Sequence, residues 1–98
     1  MKPSRNGARE AAETLAIQAL GFIAEDTERM SAFLSATGID PGAIRNAAGE
    51  PGFLAGILDH MLGDESLLTA FADSAGLDPA SIAKARRALG AAWERDLP

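Results

Sequence analysis

Residues 26–47 read DTERMSAFLSATGIDPGAIRNA, and residues 64–85 read DESLLTAFADSAGLDPASIAKA. The second stretch matches the first at a fixed offset. The identical pairs are Asp26/Asp64, Ala32/Ala70, Phe33/Phe71, Gly38/Gly76, Asp40/Asp78, Pro41/Pro79, Ile44/Ile82 and Ala47/Ala85, and most other pairs exchange similar residues. Such self-similarity encodes a duplicated helical unit. In each copy an Asp stands where a helix N-cap belongs. An apolar edge follows, Met30, Phe33 and Leu34 in the first copy and Leu67, Leu68, Phe71, Ala72 and Ala75 in the second. Gly38-Ile39-Asp40-Pro41 and Gly76-Leu77-Asp78-Pro79 then carry a stop and a start in four residues. Glycine takes the left-handed position after a helix, aspartate caps the next one, and proline suits its first turn. Each copy is therefore helix, tight turn, helix.

Upstream, Ala8 to Ala24 places apolar residues at helical spacing and predicts a long, largely buried first helix. The third helix runs from Pro41 to about Ala48 with Ile44 and Ala47 inward, until Gly49-Glu50-Pro51-Gly52 breaks it. Phe53/Leu54, Ile57/Leu58 and Met61/Leu62 then recur every four residues in a fourth helix, and the sixth runs from Pro79 to about Trp93. Strand signals are absent. The expected fold is all-α, a compact array of about six helices from two tandem three-helix repeats with helix-turn-helix-like corners. Residues 1–7 read as a flexible N-terminal tail and 8–98 as a single helical domain, with repeat units of about 8–49 and 50–93. A pseudo-twofold and a pseudo-translational relation between the units are both open. Gly21 and Gly56 lie inside helices, where glycine costs about 1 kcal/mol relative to alanine. With Ala16 and Ala55 they predict close helix contacts, within the chain or with a second chain, so monomer and homodimer are both open.

Bulk properties bound the function. At 98 residues the chain is one domain, and 47% hydrophobic with 23% charged residues suits a folded, soluble chain. Cysteine is absent, so disulfides, thiolate metal sites and Cys nucleophiles are excluded. The basic start, Met1-Lys-Pro-Ser-Arg-Asn-Gly, leads into Ala and Glu rather than a secretory apolar run. Leu15 to Ala24, interrupted by Gln18, falls short of the roughly 20 residues that span a bilayer. A cytoplasmic location without membrane insertion is expected. The net charge of −5 disfavours nucleic acid and anionic lipid as partners.

His60 is the one histidine, and Asp59, Asp64 and Glu65 beside it invite a metal or acid/base reading. It lies off the Phe53/Ile57/Met61 stripe, however, and Asp64 and Glu65 are accounted for as cap and first-turn residues, with His60 paired to Asp64 on the helix surface. Neither a serine with a base partner nor a glycine-rich phosphate loop is present. No catalytic residue, cofactor or metal site is expected. The possible partner-binding residues are Lys84, Arg86, Arg87 and Trp93. Arg86 falls between Ile82, Leu89 and Trp93, so its stem is expected along the core edge with Asp59 or Glu13 as acidic partner. Trp93 reads either as a lid on the core or as an interface anchor.

The spacing of Phe33, Gly38, Ile39, Ile44 and Ala47, and of Phe71, Ala72, Gly76, Leu77, Ile82 and Ala85, resembles the helix-turn-helix units of bacterial repressors. That resemblance implies recognition helices starting at Pro41 and Pro79. The first offers only Arg45 and Asn46 to base edges, and Asp40 and Asp78 would face phosphates. Over the whole chain, Ala16-Ile17-Gln18-Ala19-Leu20-Gly21-Phe22-Ile23, Thr37-Gly38-Ile39-Asp40-Pro41, Glu50-Pro51-Gly52-Phe53-Leu54-Ala55-Gly56-Ile57-Leu58-Asp59 and Asp64-Glu65 resemble a family of small alphaproteobacterial proteins grouped as a domain of unknown function. Coverage runs from about Ala11 to Leu89. The resemblance implies an all-helical domain in a bacterial cytoplasm and brings no activity. The expectation for function is a small cytoplasmic protein-interaction or adaptor module with an unknown protein partner. The alternative is a nucleic-acid-associated regulator.

Overall fold

Asp26 takes the N-cap position that its place in the repeat predicts. Its carboxylate accepts the N–H of Glu28 at 2.8 Å and of Arg29 at 3.4 Å, and α2 (Thr27–Thr37) begins there. Asp64 does the same for Leu67 at 3.1 Å and starts α5 (Glu65–Ala75). Both helices end on a left-handed glycine, Gly38 at φ 70° and Gly76 at φ 68°. The computed structural model describes residues 5–95, with side chains for 7–50 and 52–89. Six α-helices make it up: α1 (Arg5–Ala24), α2, α3 (Ile44–Ala47), α4 (Pro51–Leu62), α5 and α6 (Pro79–Arg95). A 3-10 turn, Pro41–Ala43, leads into α3, and no strand occurs among the described residues. Helix α1 starts three residues ahead of the expected Ala8, so Arg5, Asn6 and Gly7 belong to it rather than to a tail.

Helices α1, α4 and α6 pack on one another at the centre, with α2 against α1 and α4, and α5 against α4 and α6. Helix α1 contributes Ala12, Ala16, Ala19 and Ile23, α4 contributes Leu54, Ala55, Ile57, Leu58 and Met61, and α6 contributes Ile82, Ala85 and Leu89. Phe33 plugs the core from α2, and Leu67, Phe71 and Ala72 from α5. Among the described residues no polar or charged side chain is buried. The radius of gyration of 13.3 Å is that of a compact chain, near the roughly 13 Å expected for about 100 residues.

Two ring contacts bear on how the halves are related. Phe22 packs on Phe71 with centroids 5.5 Å apart, and His60 packs edge-on against Phe33 at 5.2 Å. At the offset of the sequence repeat Phe22 corresponds to His60, and Phe33 to Phe71. The same two positions of the sequence repeat thus meet twice with partners exchanged.

The third helices do not match. Helix α6 seats Ile82 and Ala85 in the core, whereas their counterparts Ile44 and Ala47 are only half-buried, outside the core cluster. The expected helix from Pro41 to Ala48 is instead a 3-10 turn and four α-helical residues. Sequence differences explain this. Gly42, Asn46 and Gly49 stand where the second copy has Ala80, Lys84 and Arg87, which costs the first copy roughly 2 kcal/mol of helix propensity. Pro51 stands opposite Leu89 and restricts the backbone just before it. The turns also differ. Leu77 N–H bonds to the Ala72 carbonyl at 2.8 Å, closing a Schellman motif. In the first copy the Thr37 hydroxyl, absent from Ala75, donates to the Phe33 carbonyl at 2.8 Å and accepts the Ile39 N–H at 3.4 Å.

The close contacts expected at Gly21 and Gly56 are not made among the described residues. A Cβ placed on either meets nothing within 4 Å. Gly21 faces solvent on α1, one turn after Ile17, a large hydrophobic residue that is 50% exposed.

Two predictions follow from the backbone and the mismatch, each read from urea-denaturation midpoints. Alanine at Gly38 or Gly76 should destabilise by about 1–2 kcal/mol, the cost of a left-handed Cβ, whereas Gly21→Ala should stabilise by up to about 1 kcal/mol. Equal effects at all three sites would contradict the turn geometry. Ile82→Ala should cost about 2–5 kcal/mol, and the matched Ile44→Ala less than about 1.5 kcal/mol. Similar costs would mean that the third helices are equivalent after all.

Candidate functional site

Helix α6 is capped by Asp78, whose carboxylate accepts the Ala80 N–H at 3.0 Å. With Ile82, Ala85 and Leu89 facing the core, Arg86 lies at the flank of the buried stripe. Its Nε donates to Asp59 Oδ1 of α4 at 2.6 Å, with 30% of the Arg86 and 58% of the Asp59 side chain exposed. Of the two acidic partners expected for Arg86, Asp59 is the one that meets it, and Glu13 instead lies 3.9 Å from Arg9. Arg86 therefore ties α6 to α4. Lys84 and Arg87 are both exposed on the opposite side, three residues apart, and form no ion pair among the described residues. The Trp93 side chain lies outside the described residues.

A second feature was not anticipated. Glu28, Arg29 and Ala32 of α2 face Ser66, Leu67 and Ala70 of α5 across a cleft of about 320 Å³, with His60 and Asp64 completing its lining. The three α2 positions and the three α5 positions are the same positions of the sequence repeat. Arg29 and His60 of the lining are each held against an aromatic ring. The Arg29 guanidinium lies 4.2 Å from the Phe22 ring centroid, with Nε 4.0 Å from Asp26 Oδ2. His60 rests on Phe33 rather than pairing with Asp64. Ala32 and Ala70 make the apolar surface over the buried Leu67, and Glu28 and Asp64 the acidic edge. The one sequence signal for the cleft was Ala32/Ala70, a small residue identical in both copies yet off the inward apolar edge.

Chemically the cleft offers shape, an apolar surface and carboxylates. Among the described residues no group of three or more His, Asp or Glu side chains is placed to hold a metal ion. No helix among them is long and apolar enough to cross a membrane.

Residues 9–92 match the family described as a protein of unknown function (DUF3572). The chain belongs to this family. No curated protein and no solved structure matches it. The DUF3572 match spans α2 through α5 in full, so the cleft and the Asp59–Arg86 pair both lie within the family's extent.

In this DUF3572 chain Arg86→Ala should lower stability by about 1 kcal/mol, combining an exposed ion pair with lost packing of the stem. An Asp59/Arg86 double-mutant cycle in urea should give a coupling of up to about 1 kcal/mol that shrinks in roughly 1 M salt. A salt-independent coupling, or none, would remove the ion pair from the account of α4–α6 docking.

Proposed function

We propose that this DUF3572 protein is a small protein-interaction module, without catalytic activity of its own, that receives a partner in the cleft between α2 and α5. The observation that carries this reading is the cleft itself. It gathers matched positions from the two copies of the repeat, leaves Ala32 and Ala70 open above the buried Leu67, and edges them with Glu28 and Asp64. Concave apolar surface with a few placed polar groups is where partners and ligands bind. Against a nucleic-acid role stand the short first corner, whose α-helical part is only Ile44–Ala47, and the carboxylates of Asp40 and Asp78 at the starts of both would-be recognition helices. Lys84 and Arg87 remain available as an accessory basic face of the same module.

The test is capture from a lysate of cells that express the protein, by tagged wild-type chain and tagged Ala32→Arg, both treated with nuclease. A defined protein retained by the wild type and lost with Ala32→Arg is the expected result. Recovery that vanishes with nuclease would move the assignment to nucleic acid, and equal recovery on both chains would remove the cleft from it.

A further inference from the structure

Among the described residues, the carboxylates at the cleft edge are not answered by the chain's own cations. Arg29 is drawn to Asp26 and spread over Phe22, while Arg86 is committed to Asp59. Glu28 forms no ion pair among the described residues, and Asp64 forms none either, spending one oxygen on the Leu67 N–H. An anion finds little purchase here, although the N-termini of α2 and α5 both open onto the cleft. The Glu28 and Arg29 N–H groups at the start of α2 already bond to Asp26, and the Leu67 N–H to Asp64. A volume of about 320 Å³ sits at the small end of the roughly 300–1,000 Å³ of small-molecule pockets. It suits side chains projecting from a docked segment better than a large cofactor.

Resting on the interaction-module reading, we infer that the cleft receives a basic amphipathic helical segment of a partner protein, with an apolar side chain on Ala32 and Ala70 and a lysine or arginine at Glu28 and Asp64. A helix laid in the groove between α2 and α5 presents residues three and four apart to one surface, so a single turn delivers both groups. The long aliphatic stem of the basic residue lies over the alanines while its charge reaches the carboxylates. The excess of acidic residues over the molecule, net charge −5, steers such a segment in and disfavours acidic competitors.

Random-peptide phage display on the full chain tests this, with counter-selection on Ala32→Arg, which fills the cleft from an exposed helical position. Selected peptides are synthesised and titrated by fluorescence anisotropy against wild type, Ala32→Arg, Glu28→Gln and Glu28→Lys, each checked for helical circular dichroism. Ser66→Arg, exposed on the other wall, replaces Ala32→Arg should that variant not fold. The expected peptides pair Lys or Arg with Leu, Ile or Val at helical spacing. Their Kd should rise roughly tenfold or more with Glu28→Lys and by less with Glu28→Gln, as for a charge pair at an interface. Acidic or uncharged peptides that still distinguish wild type from Ala32→Arg would overturn the basic segment and leave the interaction module standing. So would basic peptides indifferent to Glu28→Lys. A selection in which no peptide distinguishes the two chains would overturn both.

Discussion

Burial of α4 is the constraint on which the rest of the structure depends. With no cysteine in the chain and no buried polar side chain among the described residues, neither a cross-link nor a polar network holds the helices in register. Apolar surface removed from water has to do it. Leu54, Ala55, Ile57, Leu58 and Met61 cover α4 on several sides, so helices must surround it. Ala12, Ala16 and Ala19 line the side of α1 that joins it, and side chains this small let the α1, α4 and α6 backbones come close. The peripheral helices α2 and α5 then each insert one phenylalanine, Phe33 and Phe71, from matched positions.

The parts of this arrangement written in local chemistry were legible in the sequence. Asp26, Asp64, Gly38 and Gly76 act through bonds to residues a few positions away, so their types and spacing suffice. The α4 stripe was legible for the same reason, since period alone places it. Helix α3 was not. Its identities with the second copy, Ile44 and Ala47 among them, pointed to a full helix, while Gly42, Asn46, Gly49 and Pro51 weakened it and won. Local helix preference overrode likeness because the α3 face lacks the platform that α1 and α4 give α6. The ring exchange between Phe22 and Phe71 and between His60 and Phe33 was beyond sequence, being a relation between distant segments. For the site, Asp59 was one of two acidic partners offered to Arg86, whereas the cleft is a product of how α2 and α5 face each other.

Charge is sorted in a way composition does not convey. Arg9, Arg29 and Arg86 each lie close to a carboxylate, and Arg29 also covers an aromatic ring. Exposed pairs of this kind are individually weak. Their effect is to place part of the positive charge beside acidic groups and leave Glu28 and Asp64 as the charged edge of a concave apolar surface. Lys84 and Arg87 present the reverse sign on a convex helix. The molecule thus has two surfaces of opposite character, one hollow and one ridged.

The packing of α1 on α6 has a consequence for how the chain reaches this state. The first and last helices meet, so completing the core means closing a loop over most of the sequence, and the entropy of that closure is spent before the alanine face of α1 is covered. Neither half of the repeat owns a complete core, since α1 and α4 share α6 and the first half has no counterpart that does its work. Folding is therefore expected to be a single cooperative event whose rate is set by bringing the ends together, although the local sequence repeats itself.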